Sequence, residues 1–336
     1  MIFSSPASNA RLLRAYDLIS DKLALVEEEL LLHFRSPIPT IDRIGGHLAQ
    51  GGGKRIRPAL LLLSSRLLGY DEKARKDVRY ATVVEFIHTA TLVHDDVIDE
   101  ARLRRGRTSA NARWGNNLTV LFGDYLYTKS MGIALDEGDL TILKVLSDTT
   151  LSMIEGEIIG IEKNGSVHLT REEALDIIRR KTADLFSASC RLPAHFAPGG
   201  DLVAAERLAE YGRCLGVAFQ LIDDLLDYTG SVESTGKPVL NDLREGKLTM
   251  PLLLSLPRAS AAERDSVSQV MRERDFGSVT PGEIVSIAER HGGLAQTRAL
   301  ARDYAAAARV ALGSFAESEA KDGLLLATES VIDRVS

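Results

Sequence analysis

Two stretches of this chain read Asp-Asp-x-x-Asp, and both are set in apolar helical text. The first is Asp95-Asp96-Val97-Ile98-Asp99, preceded by Ala90-Thr91-Leu92-Val93. The second is Asp223-Asp224-Leu225-Leu226-Asp227, preceded by Val217-Ala218-Phe219-Gln220-Leu221-Ile222. On a helix, residues i and i+4 share a face, so Asp95 projects with Asp99 and Asp223 with Asp227. Like charges at that spacing repel, and carboxylates enter apolar surroundings only when paired or metal-bound. A fold that carries both stretches must therefore turn two acidic helix faces toward something positive. Two such faces opposite each other would hold Mg²⁺ through oxygen ligands, with phosphate completing the coordination. Solvated acidic helix ends are the competing reading, and the second copy in a matching apolar setting weighs against it.

The rest of the chain is helical in period almost throughout. Arg11 to Phe34 reads as one amphipathic helix, stopped before Pro37 and Pro39. Pro58 opens another through Leu68, with Gly69 as its stop. Further helices are expected over Asp77–Asp99, Leu118–Leu135, Asp139–Ile161, from a Thr170/Glu173 capping box toward Cys190, and over Leu202–Tyr228. Thr229 to Leu248 is rich in Gly, Ser, Thr, Asp and Lys and reads as a mobile loop. Helices resume over Pro251–Leu256, Pro281–His291 and Leu294–Leu312. The pattern predicts an all-α, single-domain bundle around a deep central cavity, spanning 1–336 with an N-terminal helix in 1–40 and the catalytic bundle in 41–336.

Composition removes several functions. A net charge of -6 and 5% aromatic residues argue against nucleic-acid binding. Met1 to Tyr16 lacks the apolar core of a signal peptide, and the longest apolar run, Ala59 to Leu63, is too short to span a bilayer. Cys190 and Cys214 form no C-x-x-C pair and read as small buried hydrophobes. A soluble cytoplasmic protein is expected, with loose membrane association left open.

Three basic constellations answer the carboxylates. Gly51-Gly52-Gly53-Lys54-Arg55-Ile56-Arg57-Pro58 is a glycine-rich loop entering a helix, suited to an anion. It is not a Walker A loop, because Leu48 stands where the first glycine belongs and Arg55 follows the lysine. Arg102-Leu103-Arg104-Arg105-Gly106-Arg107 directly follows the first acidic cluster, and arginine forks match phosphate oxygens. Lys181-Thr182 sits in helical text, while Lys237 and Lys247, flanked by Gly236 and Gly246, suit a closing lid. Each taken alone could be a solvated basic surface. His88 and His94, six apart, give no zinc pattern, and His88 stands behind Asp95, within reach of a bound phosphate.

The segments GGGKRIRP (51–58), EFIHTATLVHDDVIDEARLRRGRTSAN (85–111), Lys181-Thr182, FQLIDDLLDY (219–228) and GKPVLNDLREGKLTMP (236–251) together resemble the trans-polyprenyl diphosphate synthases, in order across the middle two-thirds of the chain. The resemblance is closest to long-chain members such as octaprenyl and solanesyl diphosphate synthases. It implies a homodimeric all-α prenyltransferase with about three Mg²⁺ ions per site. Asp95, Asp99 and Asp223 would ligate them, supported by Asp96, Asp224 and Asp227. Arg104, Lys181, Thr182, Gln220, Lys237 and Lys247 would hold an allylic diphosphate such as the farnesyl or geranylgeranyl ester. Isopentenyl diphosphate would sit on Lys54, Arg57, His88 and Arg105.

A growing prenyl chain needs a tunnel, expected along the helix behind Asp95 past Thr91, Ala90, Ile87 and Val84. One helical turn, about 5.4 Å, matches about one isoprene unit. Ala90 and Thr91 are small, where an aromatic would stop growth early. Phe86 faces elsewhere by this count, and Met131 and Leu135 are candidates for the tunnel floor. The expected product has roughly six to ten isoprene units, about C30 to C50, suited to quinone side chains. The rival readings are a short-chain geranylgeranyl or farnesyl diphosphate synthase, a terpene cyclase, a large subunit needing a small partner, and a calcium-binding helical scaffold. The last leaves the basic elements unexplained.

Overall fold

In the computed structural model, residues 6–71, 73–104, 106–230 and 239–335 are described. The helices run α1 Pro6–Asp17, α2 Ser20–Phe34, α3 Pro39–Gln50, α4 Ile56–Leu67 and α5 Lys76–Ile98. A two-residue hairpin follows, β1 Leu103–Arg104 against β2 Arg107–Thr108, with Leu103 opposite Thr108. Then come α6 Ala110–Trp114, α7 Asn116–Asp136, α8 Leu140–Lys163, α9 Arg171–Ile178, a π-helical turn Arg179–Ala183, α10 Asp184–Arg191 and α11 Leu202–Thr229. The chain closes with α12 Asn241–Arg244, α13 Met250–Ser255, α14 Ala261–Glu273, α15 Pro281–Arg290, α16 Gly293–Ala311 and α17 Glu319–Ile332.

The long apolar helices α5 and α11 organise the bundle. α11 packs between α10 and α16, α5 packs along α7 and α4, and α1 lies against α17. Val83, Val84, Phe86 and Ile87 of α5 and Leu215, Leu221, Ile222 and Leu225 of α11 are buried, so the two acidic stretches sit at the ends of core helices. No helix among the described residues is long and apolar enough to cross a membrane. Cys190 and Cys214 are both buried and free.

Several expectations need correction. Arg11–Phe34 is two helices, because the chain turns at Leu18–Ile19. The freed Leu18 carbonyl accepts from the Arg66 guanidinium at 2.7 Å, a long-range bond that local sequence does not announce. α4 starts two residues early, at Ile56, with Pro58 still in the first turn where a missing N–H is tolerated. Pro39 opens α3 rather than only closing the helix before it. The expected mobile loop Thr229–Leu248 is in part fixed: from Val239 onward the described residues include α12, held by Asp227. Met131 lies half-buried against the core on α7, whereas Leu135 is 60% exposed on the outside of the chain and cannot floor a tunnel within it.

Candidate active site

Asp95 and Asp96 occupy the last turn of α5, and Asp99 is its C-cap residue. The three side chains take three different cations. The Lys181 ammonium stands 3.7 Å from Asp95 and also pairs with Glu157 of α8. Asp96, 2% exposed, accepts from Arg104 through Nε at 2.7 Å and through a terminal nitrogen at 2.5 Å. Asp99 accepts from Lys247 Nζ at 2.9 Å, and the same ammonium donates to Glu245 at 2.7 Å. Burial, more than Glu157 and Asp99, pushes the Asp95 carboxyl up to about 6, with Lys181 opposing. For Lys181 and Lys247 burial acts downward, but their carboxylate partners outweigh it and hold both above the ordinary lysine value.

The second cluster is held differently. Asp223 is half-exposed and meets Arg334, from the C-terminal end, at 3.4 Å. Asp224 is buried; it accepts from Gln220 at 3.0 Å and from the Met250 backbone N–H at 3.4 Å, and burial raises it to about 7. Asp227 accepts the Asn241 and Asp242 backbone N–H groups at 3.0 and 3.3 Å and so starts α12. Burial first, then the charge of Asp242, raises its pKa.

Two connectors bring the clusters to one place. Thr182 donates to Gln220 at 3.0 Å, one residue after the lysine that meets Asp95. Thus Lys181-Thr182 spans from α5 to α11. The segment Asn241–Met250 does the same on the other side, anchored on Asp224 and Asp227 and delivering Lys247 to Asp99. The Lys181-Thr182 dipeptide lies in the π-helical turn, a local widening of the helix common at functional positions. That turn sits close because two neighbouring helices carry glycine. A Cβ on Gly156 would meet the Lys181 nitrogen at 2.9 Å, and one on Gly216 would meet the Ala183 Cα at 2.6 Å.

Of the other predicted residues, Lys54 and Arg57 flank the start of α4, with the Arg57 guanidinium 4.6 Å from the Phe186 ring centroid. His88 is half-buried on the Asp95 side of α5. Ala90, Ile87 and Val84 are buried and Thr91 is half-buried. The Phe86 ring packs edge-on against Phe34 at 5.3 Å. Arg105 and Lys237 lie outside the described residues. A narrow cleft opens along Glu85, Thr89, Leu92 and Asp96 of α5, about a quarter turn from Asp95. It is lined by Arg55 and Arg104 but not by Lys181, so it is not the space between the two clusters. Residues that the sequence did not single out are Glu157, Glu245 and Arg334. Only Glu157, a charge inside the apolar text of α8, carried a local signal.

The donor set is hard oxygen, which suits Mg²⁺. Among the described residues no group of three acidic side chains is gathered to hold an ion alone.

The polyprenyl synthetase family model matches residues 38–283. The octaprenyl diphosphate synthase of Escherichia coli K12 is 36% identical over 92% of this chain and 94% of its own. A polyprenyl synthase from Caulobacter crescentus CB15, solved with calcium and isoprenyl diphosphate, superposes with a TM-score of 0.91 at 34% identity, over 97% of this chain and 98% of that one. A decaprenyl diphosphate synthase from Rhodobacter capsulatus gives a TM-score of 0.90 at 36% identity, over 97% and 99%. The fold is thus the helical isoprenoid synthase bundle expected from the sequence, and the chain belongs to the polyprenyl synthetase family of prenyltransferases.

Proposed function

We propose that this enzyme condenses isopentenyl diphosphate head-to-tail with an allylic diphosphate, and repeats the step to a long all-trans chain of about C30 to C50. The observation that carries the reading is the interleaving of Lys181 and Lys247 with Asp95 and Asp99, on connectors rooted in the second aspartate cluster. A diphosphate placed there would draw both ammonium groups from their carboxylates. Asp95, Asp99 and Asp223 would then hold Mg²⁺, supported by Asp96, Asp224 and Asp227. The metal supplies positive charge to the leaving diphosphate, as calcium and isoprenyl diphosphate in the Caulobacter relative suggest.

Within that frame the residues divide the work. Lys181 and Lys247, with Lys237 and Arg104 alongside, stabilise the negative charge that builds on the departing diphosphate; such a donor contributes about 10²- to 10³-fold. Thr182 and Gln220 orient it. Lys54, Arg57, His88 and Arg105 hold isopentenyl diphosphate, so that its double bond meets the allylic cation as an intramolecular step would. The apolar flank of α5 keeps water from the cation. The proton lost after the new carbon–carbon bond forms passes to the released diphosphate.

Small residues at Ala90 and Thr91 support a long product, and so do the long-chain relatives. An Ala90→Tyr variant should shorten the product by several isoprene units; an unchanged ladder would remove the tunnel assignment. The whole chain acts as one domain and as a homodimer. Leu151, Ile154, Ile158 and Ile161 form an exposed stripe on α8, beside exposed Leu118 and Leu121 of α7, which supports the second claim. Light scattering should give twice the chain mass. A reduced, cytoplasmic setting agrees with two free buried cysteines.

The reaction is tested with Mg²⁺, isopentenyl diphosphate and farnesyl diphosphate, followed by chromatography of the dephosphorylated products. A ladder reaching about C30 or beyond supports the reading. A stop at geranylgeranyl length keeps the enzyme class and overturns the long tunnel. No extension with any allylic primer overturns the substrate assignment.

A further inference from the structure

The basic run at the start of α4 contains three cations, Lys54, Arg55 and Arg57, and they are not equivalent. The Arg55 guanidinium is turned into the protein, 14% exposed, between two helices. Its Nε and one terminal nitrogen take both oxygens of Glu27 on α2, at 2.5 and 3.1 Å. Its other terminal nitrogen takes Glu85 on α5 at 2.8 Å, and Glu85 is itself only 4% exposed. Burial opposes the charge on Arg55, and the two carboxylates more than offset it. A guanidinium forked onto two carboxylates is a fixed point, since its geometry admits little rotation.

The backbone agrees. Arg55 has φ 48° and ψ 36°, a left-handed conformation that non-glycine residues keep only when their surroundings impose it. The preceding carbonyl, that of Lys54, accepts from the Tyr16 hydroxyl of α1. Before it, Gly52 stands at φ 59° with no atom within 4 Å of the site of a missing Cβ. Thus the loop is pinned at Arg55, immediately between the two cations proposed to bind isopentenyl diphosphate, with the Tyr16 bond to the Lys54 carbonyl beside it. Glu85 also belongs to α5, which carries Asp95 and Asp99, so the two halves of the site are set from one helix.

We infer that Arg55 is a positioning residue: with Glu27 and Glu85 it fixes where Lys54 and Arg57 stand, and so governs affinity for the homoallylic diphosphate without touching it. This rests on the assignment of that substrate to Lys54 and Arg57. Steady-state kinetics with each diphosphate varied separately test it, with melting curves alongside. Glu27→Gln keeps shape at a half-exposed carboxylate, and Arg55→Lys keeps charge while losing the fork. Both should raise KM for isopentenyl diphosphate, Arg55→Lys by about tenfold and Glu27→Gln by less, with kcat and the allylic KM within about twofold. Arg57→Ala is the reference. If it leaves the isopentenyl KM unchanged, the substrate assignment falls and this inference with it. If it raises that KM while Glu27→Gln and Arg55→Lys do not, the positioning role alone is overturned. The role is equally overturned if those two variants lower kcat and raise both KM values together, as general loosening would.

Discussion

The two aspartate clusters share a spacing and a helical setting, yet the protein treats them in opposite ways. Each carboxylate of the first meets a cationic side chain, namely Lys181, Arg104 and Lys247. In the second, among the described residues, only Asp223 meets one, Arg334, while Asp224 and Asp227 accept backbone N–H groups from the segment that follows α11. Side-chain cations are exchangeable partners, which on the proposed function a metal-bound diphosphate would displace. Backbone amides are fixed partners, and a carboxylate holding two of them acts as an anchor. The first cluster is therefore built for turnover. In the second, Asp223 faces outward, while Asp224 and Asp227 also hold the segment bearing Lys247.

The largest effect should come from the residues common to both designs. Asp95→Ala and Asp223→Ala should each lower kcat by about 10³-fold or more, roughly 4 kcal/mol of transition-state stabilisation. Both should leave the melting temperature within a few degrees, because each removes a carboxylate that is not a backbone anchor. A mild loss in Asp223→Ala beside a severe one in Asp95→Ala would mean that the second cluster is structural throughout.

Next in size is the anchor itself. Asp227→Asn keeps one acceptor oxygen but replaces the other with a donor, so one of the two N–H groups loses its partner. It should lower kcat by about 10²-fold, matching Lys247→Gln, since both act by removing Lys247 from the site. The double variant should then be little worse than either single one. Additive losses in the double variant would show that Asp227 acts on the metal directly, and the contrast between the clusters would fail there.

Much of this was legible in the sequence, for local reasons. The i, i+4 aspartates in apolar text place both clusters on core helices. Thr170 with Glu173 forms the capping box it promised, and Gly69 stops α4 at φ 71°. Ser260 with Glu263 marks α14 in the same way, although its polar composition hides it among turns. What could not be read depends on distant partners. Nothing within Lys54–Arg57 says that Arg55 turns inward, because Glu27 and Glu85 decide it. Nothing in Thr229–Leu248 says that its second half is fixed, because the anchor is Asp227. The break at Leu18 waits on Arg66.

The smallest effect is on stability, and pH reads it. Asp224 is raised to about 7 and Asp95 to about 6, chiefly by burial, against about 3.9 in an unfolded chain. Between those limits the folded protein holds protons that the unfolded chain has released. The contribution of these two groups to stability in the absence of metal therefore falls as pH rises from about 4 to about 7. The metal-free chain should melt a few degrees higher at pH 5 than at pH 8. Asp224→Asn should remove more of that difference than Asp95→Asn, because Asp224 stays protonated to higher pH. A larger change in Asp95→Asn would place the electrostatic cost in the first cluster, and Lys181 would then be a poorer counterweight than its geometry allows.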